Sequence, residues 1–209
     1  MSAVAAPVAM RRALPPEEAA RGDFYALIAR LFRSAPDSAL LATLAAAPLL
    51  PEDGNARLGA AWRDLVNASS VMDPEAAADE YHTLFEGMGK SEVSIYAGFY
   101  SGAPSIDHPR VRLQADLATL GLAHRQDVTE PEDHLAALFE VMRVLVAGGA
   151  GREPAPVPAQ KAFFEAHLQR AAPRFLEAVG RSQKANYYRT VAAMAAAFVS
   201  LESDSFQLD

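Results

Sequence analysis

The chain has 209 residues, 51% of them hydrophobic, with 19 Lys and Arg against 26 Asp and Glu for a net charge of −7: enough for one buried core under an acidic average surface. Such a surface repels phosphate backbones and anionic headgroups, so nucleic-acid partners and stable membrane insertion are not expected. The lack of cysteine excludes disulfides, thiolate metal sites and thiol nucleophiles.

Arg11-Arg12 would suit an export signal, but Ala13-Leu14-Pro15-Pro16-Glu17-Glu18 stands where such a signal needs an apolar segment. Residues 1–14 are therefore expected to be a mobile tail, and 15–209 a single domain kept in the cytoplasm. No apolar run reaches the ~18 residues of a membrane span, so the protein is expected to be soluble.

From Pro15 onward the pattern is helical. Phe24, Leu27, Ile28, Leu31 and Phe32 fall on one helix face, closed by Ser34-Ala35-Pro36. A short Leu/Ala-rich helix runs from about Ser38 to Ala47, and Leu58, Ala61, Trp62, Leu65 and Val66 define a third. Asp73-Pro74 opens a fourth, Asp as N-cap and Pro at the first helical position, with Ala77, Ala78, Tyr81, Leu84 and Phe85 facing inward. Residues 87–106 read as a long loop holding one short helical turn near Tyr96, Phe99 and Tyr100. Asp107-His108-Pro109 restarts a helix through Leu113, Leu117 and Leu120 to Gly121.

Thr129-Glu130-Pro131-Glu132 has the form of a capping box for a strongly periodic helix carrying Leu135, Leu138, Phe139, Met142, Leu145 and Val146. Residues 148–158, rich in Gly and Pro, read as a flexible crossover that would permit either a monomer or a dimer exchanging the last helices. The remaining helices carry Phe163, Phe164 and His167, then Phe175, Leu176 and Val179, then Tyr187 to Leu201. No repeat of fixed period occurs. The expected fold is all-α: one globular helical bundle of about eight or nine helices.

Candidate chemistry is sparse. Gly89-Lys90-Ser91 resembles the end of a phosphate-binding loop, but Leu84 replaces the earlier glycine and a helix precedes it where a strand is needed, so nucleotide binding is only a side reading. His82 and Glu86, four apart, offer two metal ligands without a third. Asp133 and His134, at the start of the best-capped helix, are the more promising pair; capping with an exposed imidazole is the plain alternative. No nucleophile elbow, dinucleotide fingerprint or cofactor motif is present, so no cofactor and no catalytic activity are expected. Two other readings stay open. One is a metal- or nucleotide-dependent helical enzyme using His82, Glu86, Asp133 and His134; the other is a general helical interaction domain.

Three blocks together resemble the TorD-like redox-enzyme maturation chaperones over residues 20–206. They are Tyr81-His82-Thr83-Leu84-Phe85-Glu86-Gly87-Met88-Gly89, then Glu130-Pro131-Glu132-Asp133-His134 with its helix, then Phe163-Phe164 with His167, Tyr187-Tyr188 and the last helix. Ile95 to Tyr100 occupies the place of a loop that in this family usually carries Pro and Ser, from which Ile95 and Gly98 depart. The resemblance implies an all-helical chaperone. Its partner would be a molybdopterin oxidoreductase precursor, held by its twin-arginine leader or as the apoenzyme. The Gly87 to Glu92 version of the loop looks closest to members associated with formate dehydrogenases, with DMSO/TMAO reductase-type subunits as other clients.

A leader presents two guanidiniums beside an apolar stretch, so its receptor needs carboxylates next to hydrophobic surface. The expected binding residues are Glu130, Pro131, Glu132, Asp133 and His134 for the polar side, Asp133 being the best guanidinium acceptor. Tyr81, Leu84 and Phe85 are expected as an apolar wall, and Tyr96 at the rim.

Overall fold

The structure, a computed structural model, describes residues 14–87, 91–102, 109–122, 131–149 and 151–208. The expected tail, apart from Leu14, lies outside the described residues, as do Met88 to Lys90 of the phosphate-loop reading. Among the described residues there are ten helices: α1 (Pro16–Arg33), α2 (Ser38–Ala45), α3 (Ala56–Val71), α4 (Pro74–Phe85), α5 (Ala97–Tyr100), α6 (Pro109–Thr119), α7 (Leu135–Ala147), α8 (Val157–His167), α9 (Ala171–Arg181) and α10 (Tyr187–Leu208). The all-α reading holds. The number exceeds the expected eight or nine because the turn foreseen near Tyr96 is a helix of its own, α5. None of the described helices is long and apolar enough to cross a membrane.

Local signals start most of these helices where the sequence places them. Asp37 accepts from the Leu40 amide at 2.8 Å, and Asn55 from the Leu58 amide at 3.0 Å. Asp73 accepts from the Glu75 and Ala76 amides, both at 3.0 Å, with Pro74 following it.

α7 is the exception. It begins at Leu135, and its N-cap is His134, whose Nδ1 accepts from the Ala136 amide at 3.2 Å. The Thr129 to Glu132 box therefore does not cap it. The His134 amide instead closes a turn onto the Pro131 carbonyl at 3.1 Å, which brings α7 in later than the box requires.

α10 runs through the middle of the bundle, with Tyr187, Tyr188, Val191, Met194, Ala195 and Phe198 all buried. It packs on α9, α3, α4 and α1, while α1 lies along α7. Aromatic edges lock these contacts: Phe198 meets Tyr25 at 4.9 Å between ring centres, and Phe32 meets Phe175 at 4.9 Å. Two carboxylates tie α10 to its neighbours. Glu202, buried near the end of α10, takes two bonds of 2.8 Å from Arg21 and a third of 2.8 Å from the Tyr25 hydroxyl. Burial first, and the Glu202 charge next, push that phenol well above its usual range. At the other end, Glu80 of α4 accepts the backbone amides of Asn186, Tyr187 and Tyr188 at 2.8, 3.0 and 2.7 Å.

The 148–158 connection, expected to be a flexible crossover, is tied back onto α7. Gly149 and Arg152 exchange backbone bonds of 3.0 and 2.8 Å, and the Ala155 amide donates to the Leu145 carbonyl at 2.7 Å. Gly148 sits at φ +69°, and a Cβ there would stand 2.5 Å from the Arg152 carbonyl oxygen, so this tight reversal needs glycine.

Candidate functional site

The chain leaving α4 doubles back beneath it: the Val93 amide donates to the Leu84 carbonyl at 2.9 Å. That delivers residues 95–97 alongside 133–135. The Leu135 amide donates to the Ile95 carbonyl at 3.0 Å and the Ala97 amide to the Asp133 carbonyl at 2.8 Å, with Tyr96 and His134 forming an antiparallel bridge. The Tyr81 and Asp133 blocks thus meet, but through an intervening segment.

Tyr81, Leu84 and Phe85 are 2%, 0% and 7% exposed. They are not the open apolar wall expected of them. Their side chains turn into the aromatic core, where Phe85 meets Tyr188 at 5.3 Å and Tyr81 meets Phe85 at 5.2 Å, because α4 has only that face to offer the bundle. Their part is to fix the segment that carries Tyr96, which is 38% exposed with its ring set edge-on to the buried His134 imidazole at 5.7 Å.

Asp133 stands at the centre of the arrangement. Its side chain is 10% exposed and lies in the turn before α7, its Oδ2 accepting the Gly98 amide at 3.3 Å at the start of α5. A Cβ on Gly98 would meet that oxygen at 2.9 Å, so the glycine that departs from the family loop is what admits the carboxylate. The other oxygen, Oδ1, faces the Arg110 Nε at 3.4 Å. Pro131 and Glu132 are half-buried beside it, and Glu132 accepts from Gln114 of α6 at 2.7 Å. Glu130 lies outside the described residues.

Asp133 heads a cleft of about 680 Å³, within the usual range for ligand pockets. α5 contributes Ala97 and Gly98, α6 contributes Val111, Arg112 and Leu113, and α7 contributes Leu138. Glu165, Ala166 and His167 at the end of α8, and Arg170 just before α9, line it as well. Apolar surface at Val111, Ala115 and Ala166, on α6 and α8 rather than α4, therefore flanks a carboxylate.

α6 is lightly anchored. Leu113 is its one buried side chain, Leu117 packs half-buried on the core, and polar ties add to them: Arg110 to Asp133, Gln114 to Glu132, the Leu120 carbonyl to the Arg152 guanidinium, and Asp116 to His167. The His167 Nε2 lies 2.7 Å from Asp116 Oδ2. Burial, and Arg112 after it, hold that imidazole below its ordinary value against the pull of Asp116. A neutral ring donating from Nε2 satisfies the carboxylate.

His82 and Glu86 pair with each other on the surface at 2.6 Å. Among the described residues no group of three or more His, Asp or Glu side chains is placed to hold a metal ion.

Arg110, Glu165 and Arg170 were not foreseen. One signal was legible for Arg110: α6 opens on Pro109-Arg110-Val111-Arg112 with no acidic residue in its first turn, against the preference of the helix dipole for negative charge there. Cations in that position have to find carboxylates elsewhere.

Fold and site define an all-α bundle with a charge-lined cleft between α5, α6, α7 and α8. The protein-family comparison narrows that class: the model for the nitrate reductase delta subunit family matches residues 52–177, more than half of the chain and every part of the cleft. The chain belongs to that family, the NarJ- and TorD-type chaperones of redox-enzyme maturation, and its broad function is the maturation of a molybdoenzyme. Compared with curated proteins, the chain finds no significant match.

Proposed function

We propose that this chain is a cytoplasmic chaperone that catalyses no reaction and needs no cofactor. Its role is to hold the twin-arginine leader, or the apo form, of a molybdopterin oxidoreductase during cofactor insertion and assembly. The loop from Gly87 to Glu92 favours a formate dehydrogenase as client. The observation that carries the binding mode is the Asp133 carboxylate, which lines a cleft with apolar flanks, fixed through Oδ2 by the Gly98 amide and facing Arg110 through Oδ1.

A guanidinium entering the cleft meets a preorganised acceptor, and the apolar residues that follow it in a leader lie against Val111, Ala115 and Ala166. Preorganisation matters because immobilising a side chain on binding costs about 0.5–1.5 kcal/mol. Asp133 is already held.

Calorimetric titration of a synthetic twin-arginine leader peptide into wild type and Asp133→Asn tests the reading. Asparagine keeps an oxygen for the Gly98 amide and removes the charge, so affinity should fall roughly tenfold, the scale of one charge-assisted hydrogen bond. Equal affinity for both proteins would take Asp133 out of the site. Pull-down from the native cell tests the client: a formate dehydrogenase subunit should come down with the chaperone.

A further inference from the structure

The Asp133 carboxylate already faces an arginine, and the quality of that contact is informative. Its nearest approach is Arg110 Nε to Oδ1 at 3.4 Å, with a side chain that is 56% exposed. Charge-assisted pairs of this type close to about 2.7–2.9 Å, and guanidiniums favour two parallel bonds. The same chain makes such a pair elsewhere, Arg21 meeting Glu202 through two nitrogens at 2.8 Å each. Arg110 also sits in the first turn of α6, where the helix dipole disfavours a cation. It is a weak occupant of a well-built position.

Resting on the reading of Asp133 as the client's arginine acceptor, we propose that Arg110 is an internal stand-in for the client guanidinium. It covers Oδ1 in the unbound chaperone and swings out when the client arginine arrives. The exchange conserves charge at the carboxylate, since one guanidinium replaces another and Arg110 moves into water on its flexible stem. Gly98 keeps Oδ2 in place throughout.

The stand-in sets a threshold. A guest must outcompete an existing cation: a planar guanidinium that closes two short bonds displaces Arg110, and a lysine ammonium, a point charge with no fork, faces the same displacement cost with a weaker contact to offset it. Arg110 is thus a positioning residue that lowers affinity for every cationic guest by a common factor, while the choice of arginine over lysine comes from Asp133 itself.

The test is calorimetry with a synthetic leader peptide carrying two adjacent arginines before an apolar stretch, and with its twin-lysine counterpart. The proteins are wild type, Arg110→Gln, Arg110→Lys, Asp133→Asn and the Arg110→Gln/Asp133→Asn double variant, each checked for an unchanged unfolding midpoint. Arg110→Gln should bind the arginine peptide about threefold more tightly, the worth of an exposed ion pair, and gain by the same factor for the lysine peptide. Arg110→Lys should stay near wild type. In the double variant the gain should vanish, because nothing is left to uncover.

A gain that persists in the Asp133→Asn background would reduce Arg110 to general repulsion and overturn the proposal. So would an Arg110→Gln affinity no higher than wild type while Asp133→Asn still weakens binding, in which case the acceptor role of Asp133 stands alone. If Asp133→Asn binds like wild type, the acceptor reading itself is wrong and the stand-in falls with it.

Discussion

Gly98 and Asp133 fit each other at a single atom: the glycine amide donates to Oδ2 from 3.3 Å, and a methyl group on the same residue would stand 2.9 Å from that oxygen. Backbone donor and missing side chain together let a carboxylate from the α7 turn settle on the four-residue helix α5. The position of Asp133 in the cleft follows from a residue with no side chain at all.

Gly98→Ala should therefore push the carboxylate aside and break the amide contact, at a cost of about 1 kcal/mol in stability, the net worth of one hydrogen bond. Urea unfolding of Gly98→Ala, Asp133→Ala and the double variant checks this. Because clash and bond both act through Asp133, the alanine at 98 should cost almost nothing once Asp133 is gone. Additive losses would place the effect elsewhere in α5.

The cap on the central helix gives a second prediction. Glu80 supplies both carboxylate oxygens to the three amides that open α10, a helix with no first-turn acid of its own. Glu80→Ala leaves those donors without their partner and removes a negative charge from the positive end of the dipole, so it should destabilise by roughly 2 kcal/mol. Glu80→Gln, which keeps one acceptor, should lose about half as much. Denaturant midpoints with unchanged slopes would confirm a local effect; a slope change would mean that α10 no longer unfolds with the rest.

Helices were legible in this chain wherever periodicity and caps agreed, as at Asp73-Pro74, because both are written in adjacent residues. The α7 start misled for the same reason: a capping box is a local pattern, and the turn that overrides it depends on residues 95–97, brought in from far along the chain. For the candidate site, sequence singled out Asp133, His134 and Tyr96, which the structure brings side by side. It misassigned Tyr81, Leu84 and Phe85, because an inward-facing stripe on a helix looks the same whether it meets a core or a client. The wall actually present comes from α6 and α8, whose pairing across the cleft through Asp116 and His167 joins residues 51 positions apart and leaves no local trace.

Burial of the His167 ring beside Asp116 also makes the cleft sensitive to acid. Burial, and then Arg112, hold His167 below the ordinary histidine value of 6.5, with Asp116 opposing them. The folded ring thus resists a proton that the unfolded chain accepts, and the unfolded state binds more protons between the folded value and 6.5. The stability His167 contributes is present above pH 6.5 and is lost as pH falls through the folded value, by at most about 1.4 kcal/mol for each pH unit of depression. His167→Gln, which retains an N–H for Asp116 and does not titrate in this range, should lose less stability than wild type between pH 7.5 and 5.5. Urea midpoints at the two pH values, with an NMR titration of the ring, decide it. A ring titrating above 6.5, with wild type gaining stability relative to the variant on acidification, would mean that the ion pair with Asp116 outweighs burial and that acid tightens α6 on the cleft.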